Sequence, residues 1–201
     1  FESRHDVWRE LEQLFPESVF LGCSSAGEID GPEVKDGTIS GVAVRFDHTT
    51  LVRASAPVNH PSDSFAAGAS LARDILRQAS ERDNRSENGN LRALLVISDG
   101  LNVNGSDLLK GIRSVLPDTV LTTGGLAADG SRFERTWVLD RLAPRLGKPP
   151  ELTAASGRVV GVGLSGERLA ISHGCKGGWD KFGPERIVTR SAGSVVYEID
   201  E

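Results

Sequence analysis

The chain has 201 residues, a net charge of −5 and 23 glycines in an otherwise ordinary globular composition, so one compact domain with a real core is expected. No stripe of clustered Lys and Arg is present, which argues against a phosphate-neutralising nucleic-acid surface. No apolar run approaches the roughly 18 residues of a membrane span, and no signal peptide is visible.

The chain holds no Met and opens at Phe1-Glu2-Ser3. It reads as a fragment of something longer at both ends, with Phe1 at the end of a strand whose beginning is absent. Residues 6–15 place Val7, Trp8, Leu11, Leu14 and Phe15 at helical spacing, with Asp6 as the cap and Pro16 as the stop. Residues 19–22 form a short buried strand that ends in a turn of small residues. Residues 38–46 and 50–56 read as a hairpin around Asp47-His48-Thr49. Ser62 or Asp63 then caps a helix running to Ala79, and the polar stretch 80–90 is a surface loop. The nearly continuous apolar run 92–98 marks a central buried strand. Ser106 or Asp107 caps the next helix, which Pro117 ends. A strand over 120–123 leads into Gly124-Gly125, and 136–140 is a further strand. The Pro-rich stretch 143–156 is a loop. Residues 159–164 and 168–173 read as a second hairpin around Gly166-Glu167, and 186–190 and 194–199 as two last strands around Ala192-Gly193.

The segment from Val7 to Glu28 aligns without a gap on the stretch from Leu108 to Asp129, which Gly130 follows. Pro16 pairs with Pro117, Glu17 with Asp118, Val19 with Val120 and Ala26 with Ala127. Gly37-Thr38-Ile39-Ser40-Gly41-Val42-Ala43-Val44 resembles Gly157-Arg158-Val159-Val160-Gly161-Val162-Gly163-Leu164. The expectation is an α/β domain of two pseudo-repeats, each strand–helix–strand–hairpin, forming a mixed sheet or two stacked sheets with outer helices.

The strongest local signal is Gly22-Cys23-Ser24-Ser25-Ala26-Gly27-Glu28-Ile29. Small residues after a buried strand expose backbone N–H groups that can cradle an anion or a carboxylate. Gly124-Gly125-Leu126-Ala127-Ala128-Asp129-Gly130 stands at the matching place. The alternative is tight packing of the two turns against each other. Glu28 and Asp129 are candidates for a ligand ammonium group, or else turn caps. Trp179 after Gly177-Gly178 is a candidate pocket wall or a core residue. Asp99-Gly100, at the end of the central strand, stands where open α/β sheets bind ligands, or is only a turn. Cys23 and Cys175 suit a reducing compartment and read first as buried small hydrophobes. As a nucleophile, Cys23 would need a base, for which His173 is the nearest candidate. The four histidines show no metal-ligand spacing. Gly161-Val162-Gly163 lies inside a strand, not before a helix, and is no dinucleotide fingerprint. No cofactor is expected.

The Gly22 to Ile29 motif resembles the signature of the FIST family, the N-terminal domain of F-box and intracellular signal transduction proteins. The Gly124 to Gly130 stretch is similar to that family's second glycine segment. So are Gly178-Trp179, Val188-Thr189-Arg190-Ser191 and Val196-Tyr197-Glu198-Ile199-Asp200. The match spans almost the whole chain, with 143–156 as a departure. The resemblance implies a cytoplasmic ligand-sensing domain of signalling proteins, with amino acids among the ligands, and a C-terminal companion or output domain. It brings no catalytic residues. The ligand set expected here is Gly22, Cys23, Ser24, Ser25, Ala26, Gly27, Glu28, Gly124, Gly125, Asp129 and Trp179. A hydrolase or transferase using Cys23 or Ser24, and an interaction scaffold without a ligand, are the rival readings.

Overall fold

The computed structural model describes residues 5–82, 90–142, 150–174, 177, 180–192 and 195–200. The chain divides into two compact units, 1–171 and 172–201.

The first unit is built on a four-stranded mixed sheet in the order β3-β8-β4-β5: β3 Thr50–Pro57, β4 Leu91–Ser98, β5 Leu121–Leu126 and β8 Arg158–Ser165. β4 and β5 run parallel, and β8 is antiparallel to both β3 and β4. The apolar run of β4 is indeed an inner strand, flanked by β8 and β5. Helices α2 (Ser64–Arg82) and α3 (Gly105–Arg113) pack on one face. Val52, Ala54 and Ala56 of β3 join Leu71, Ala72 and Ile75 of α2, Leu108 and Ile112 of α3, and Leu94 and Val96 of β4 in one dry core. The two helices approach so closely that a Cβ on Gly68 would stand 2.2 Å from the Leu108 carbonyl oxygen, and one on Gly111 2.0 Å from that of Phe65. The Gly161-Val162-Gly163 run has a packing purpose: a Cβ on Gly163 would stand 2.8 Å from Ile75 and from Val52.

The other face is covered by a two-stranded antiparallel ladder, β6 (Val138–Leu142) with β7 (Glu151–Ala155). Helix α1 (His5–Leu14) lies on it, with Trp8 against Trp137 at 5.9 Å between ring centroids. Glu12 fixes the helix, accepting from Arg141 Nε at 2.9 Å and from the Leu152 N–H at 3.0 Å. A short hairpin, β1 (Glu28–Asp30) with β2 (Glu33–Lys35), follows the first glycine turn.

Several expectations are corrected. Residues 38–46 form no strand, and β3 pairs instead with β8, more than 100 residues away in sequence. Residues 168–173 likewise form no strand, because β8 already has β3 and β4 as neighbours. Residues 19–22 make no strand either; the one bridge nearby joins Cys23 to Val138. These differences leave the proposed repeat unconfirmed: 158–165 is a long strand, whereas its counterpart 38–46 is not. Helix α1 begins at His5, so Asp6 lies inside its first turn. α2 is preceded by a 3-10 turn, Pro61–Asp63, in which Asp63 accepts from the His60 N–H. The cap of α3 is Asn104, whose Oδ1 accepts from the Asp107 N–H at 3.2 Å, not Ser106 or Asp107. The stub at Phe1 to Ser3 lies outside the described residues.

The second unit contains the antiparallel hairpin of β9 (Val188–Ala192) and β10 (Val195–Ile199). Arg190 pairs with Glu198 and stacks over Tyr197 at 5.0 Å. Asp200 closes the open end, accepting from the Ile187 N–H at 2.7 Å and from Arg186.

Candidate functional site

The two glycine turns meet. The Ala128 N–H donates to the Ser24 carbonyl at 3.0 Å. The first turn is held from its other side by the entry to β6. Leu139 N–H donates to Gly22 O at 2.8 Å, Ser24 N–H to Trp137 O at 3.0 Å, and Trp137 N–H to Ser24 Oγ at 3.1 Å. Residues 22–24 therefore run as an extended strap between the β6 ladder and the second turn. The second turn is tied to the central strand, because Ala127 N–H donates to Ser98 O at 2.8 Å.

The expected turn at Gly124-Gly125 is corrected: both glycines lie inside β5, paired with Val96 and Ile97, and the second turn starts only after Leu126. The small residues of the two segments have different duties. Gly22 sits against Leu139, where a Cβ would stand 2.9 Å from Cδ1. Gly124 lies within β5, and a Cβ there would stand 1.7 Å from Val96 O, so only glycine permits this pairing. These two positions are packing features. Gly125 is different: a Cβ there would meet nothing within 4 Å, and the residue is exposed. Ala26 is exposed as well, and Ser25 is half-buried.

Ser25 and Glu28 are linked, with Ser25 Oγ donating to Glu28 Oε1 at 2.8 Å and accepting from the Gly27 N–H at 3.3 Å. Glu28 Oε2 accepts from the Thr38 N–H and hydroxyl at 3.2 and 3.0 Å. The Ser25 hydroxyl first, then the two Thr38 donors, hold the Glu28 carboxyl below its usual range. Asp129 is buried and accepts the N–H groups of Phe133, Glu134 and Arg135 at 2.8–3.2 Å. The Arg135 N–H leads in lowering its pKa. Both acids are thus turn-formers in the present geometry.

Cys23 is half-buried and packs against the small cluster of Ala127, Val138 and Val160. Burial pushes its thiol pKa up, which keeps it protonated and weakly nucleophilic. His173, its suggested base, belongs to the second unit. Trp179 and Cys175 lie outside the described residues.

Asp99 closes the end of β4. It is fully buried; Oδ1 accepts from Leu101 N–H and Asn102 N–H at 2.8 and 2.9 Å, and Oδ2 from Gly157 N–H at 2.8 Å. Burial opposes its charge, but the donors from Gly157, Asn102 and Leu101 outweigh it and hold the carboxyl below its usual range. Gly100 touches the second glycine turn, where a Cβ would stand 1.9 Å from Ala127 O.

The chain belongs to the FIST N domain family. The family model matches residues 1–201, the whole chain. FIST domains are associated with sensing in signal transduction. No curated protein matches the chain. In this FIST domain no helix among the described residues is long and apolar enough to cross a membrane.

One group went unnoticed in the sequence. Asp140 is fully buried between two arginines. Its Oδ1 accepts from Arg53 Nη2 at 2.9 Å and its Oδ2 from Arg158 Nε at 2.8 Å. Arg53 also donates to Leu139 O and Phe20 O, and Arg158 to Ser55 Oγ. A signal for it existed. Alternation along β3 puts Arg53 and Ser55 opposite to Val52, Ala54 and Ala56, on the face away from the helices.

Proposed function

We propose that this FIST domain is a non-enzymatic cytoplasmic sensor that binds a small polar metabolite, an amino acid among the candidates, where its two glycine turns meet. The observation that carries this reading is the direct Ser24–Ala128 hydrogen bond. It draws the two segments together, and Ala26 and Gly125 are exposed, with open space beside Gly125. A ligand carboxylate would take the backbone N–H groups of Ser25 and Ala26, since that of Gly27 already donates to Ser25 Oγ. Glu28 and Asp129 would stiffen the two turns. Binding would be transmitted to a C-terminal companion or output domain by unequal affinity for two arrangements. The raised thiol pKa of Cys23 speaks against the Cys-dependent hydrolase reading.

A thermal-shift screen of the full chain against the twenty amino acids tests this. A ligand present at 100 times its Kd adds about 2.7 kcal/mol of stability. A hit that is lost in Ala26→Trp supports the reading. No shift with any of the twenty overturns the amino-acid assignment.

A second reading has one observation in its favour. Residues 39–46 are unpaired and expose Ile39, Val42 and Val44, Val42 at 90 %. An apolar run in the open favours a protein contact as part of the output, with the companion domain as the partner.

A further inference from the structure

Two clefts lie beside the β6–β7 ladder, and their charge differs. The larger, about 470 Å³, is lined by Arg9, Glu12, Glu151, Leu152 and Thr153, so one cation stands with two carboxylates there. The smaller, about 230 Å³, is lined by Ser18, Val19, Phe20, Arg53, Arg141 and Leu152. It holds two guanidinium groups and no carboxylate.

The acids nearest to those arginines do not cancel them. Asp140, behind the cleft, is shared between Arg53 and Arg158. Glu12 faces Arg141 through Nε and is also held by the Leu152 N–H. Three guanidinium groups therefore stand against two carboxylates, and one positive charge is left over. Arg53 donates through Nε and Nη2, and Arg141 through Nε. Among the described residues Nη1 of Arg53 and both terminal nitrogens of Arg141 have no partner. The Arg53 side chain is only 17 % exposed. A guanidinium desolvated to that extent interacts with an added anion more strongly than one in open water. Arg53 is also pre-positioned by its contacts to Phe20 O, Leu139 O and Asp140, so little freedom is lost on binding.

We propose that this cleft is a binding site for a small aliphatic carboxylate. The carboxylate would lie between Arg53 and Arg141, with the Ser18 hydroxyl beside it. The alkyl part would lie along Val19, Phe20 and Leu152. The volume is below the roughly 300 Å³ at which sites for drug-sized ligands begin, which limits the ligand to a few carbons. The site is separate from the glycine turns and does not depend on their role. Because residues 18–20 lead directly into the strap at 22–24, an occupant here would also bear on the first turn.

Butyrate and its neutral isostere butyramide are the probes, titrated at low ionic strength into the full chain while backbone amide shifts are followed. The expected result is saturable binding of butyrate, with shifts centred on Phe20 and Leu152, and binding of butyramide at least tenfold weaker. Arg141→Gln, whose fold is checked by circular dichroism, should weaken butyrate at least tenfold. Should that variant not fold, Ser18→Ala is the replacement and should weaken butyrate several-fold. Equal shifts from butyrate and butyramide, or butyrate affinity unchanged in the folded variant, would overturn the proposal. Neither result touches the glycine-turn reading, whose ligands report at 25–27 and 125–128.

Discussion

The two faces of the central sheet are built on different physics. One face is dry: Val52, Ala54, Leu94 and Val96 meet α2 and α3, and the two helices meet each other at glycines that let their backbones nearly touch. The other is polar and tied by ions and hydrogen bonds: Arg53, Asp140 and Arg158 link β3, β6 and β8, and backbone donors join the strap to β6. The dry face gives bulk stability through buried area and tolerates little change in volume. The polar face gives less net stability but fixes the direction of each element, because its bonds have angles as well as distances. The exposed rim of the candidate site is held from the polar face. The proposed sensor function would be served by that division, with the helices keeping the domain folded while a ligand acts on the strap.

The sharpest way to break the comparison is to remove the buried acid. Asp140→Ala leaves two mostly buried guanidinium groups without their counter-ion and should cost about 3–5 kcal/mol in denaturant unfolding. A cost within about 0.5 kcal/mol, typical of a neutral surface change, would mean that the polar face is not a structural link. On the dry face, Leu71→Ala should cost about 2–5 kcal/mol by cavity formation. The two losses should differ in kind: the Asp140 variant should respond to salt and the Leu71 variant should not.

A third change separates charge from shape. The folded pKa of Asp99 is lowered, so its carboxylate stabilises the fold above the ordinary value of about 3.9, and that stabilisation is lost as pH falls through the folded value. Asp99→Asn should lower stability by about 1–3 kcal/mol near pH 7, and the gap to the parent should close in strong acid. Melting curves taken from pH 7 down to pH 2 check this. A gap that does not change with pH would assign the loss to shape alone. The smallest effect is expected at the rim, where Ala26→Trp should leave stability within about 0.5 kcal/mol. If it unfolds the chain instead, the turn is a packed feature and not a rim.

Elements with a local signature were readable in the sequence. The periodicity of α2 and α3 and the apolar run of β4 reported themselves, because burial on one helix stripe or in an inner strand leaves a mark in a few consecutive residues. The two small-residue runs stood out in the sequence, but the contact between Ser24 and Ala128 is visible only in the structure. Pairing was not legible. Thr50–Pro57 reads equally well as the partner of 38–46 or of β8, and the choice is made by contacts far apart in sequence. The caps were missed for a related reason: Asn104, Ser106 and Asp107 are all good caps by type, and only backbone angles select Asn104. The Arg53–Asp140–Arg158 group joins residues 87 and 18 positions apart, which no spacing rule reveals.

The most direct test of the sensor assignment is residue-resolved amide mapping with the amino acid that gives the largest thermal shift. The account predicts that the strongest perturbations fall on residues 25–27 and 125–128, the two sides of the Ser24–Ala128 contact, with α2 and α3 unmoved. Perturbations confined to other residues, with both glycine turns silent, would contradict it.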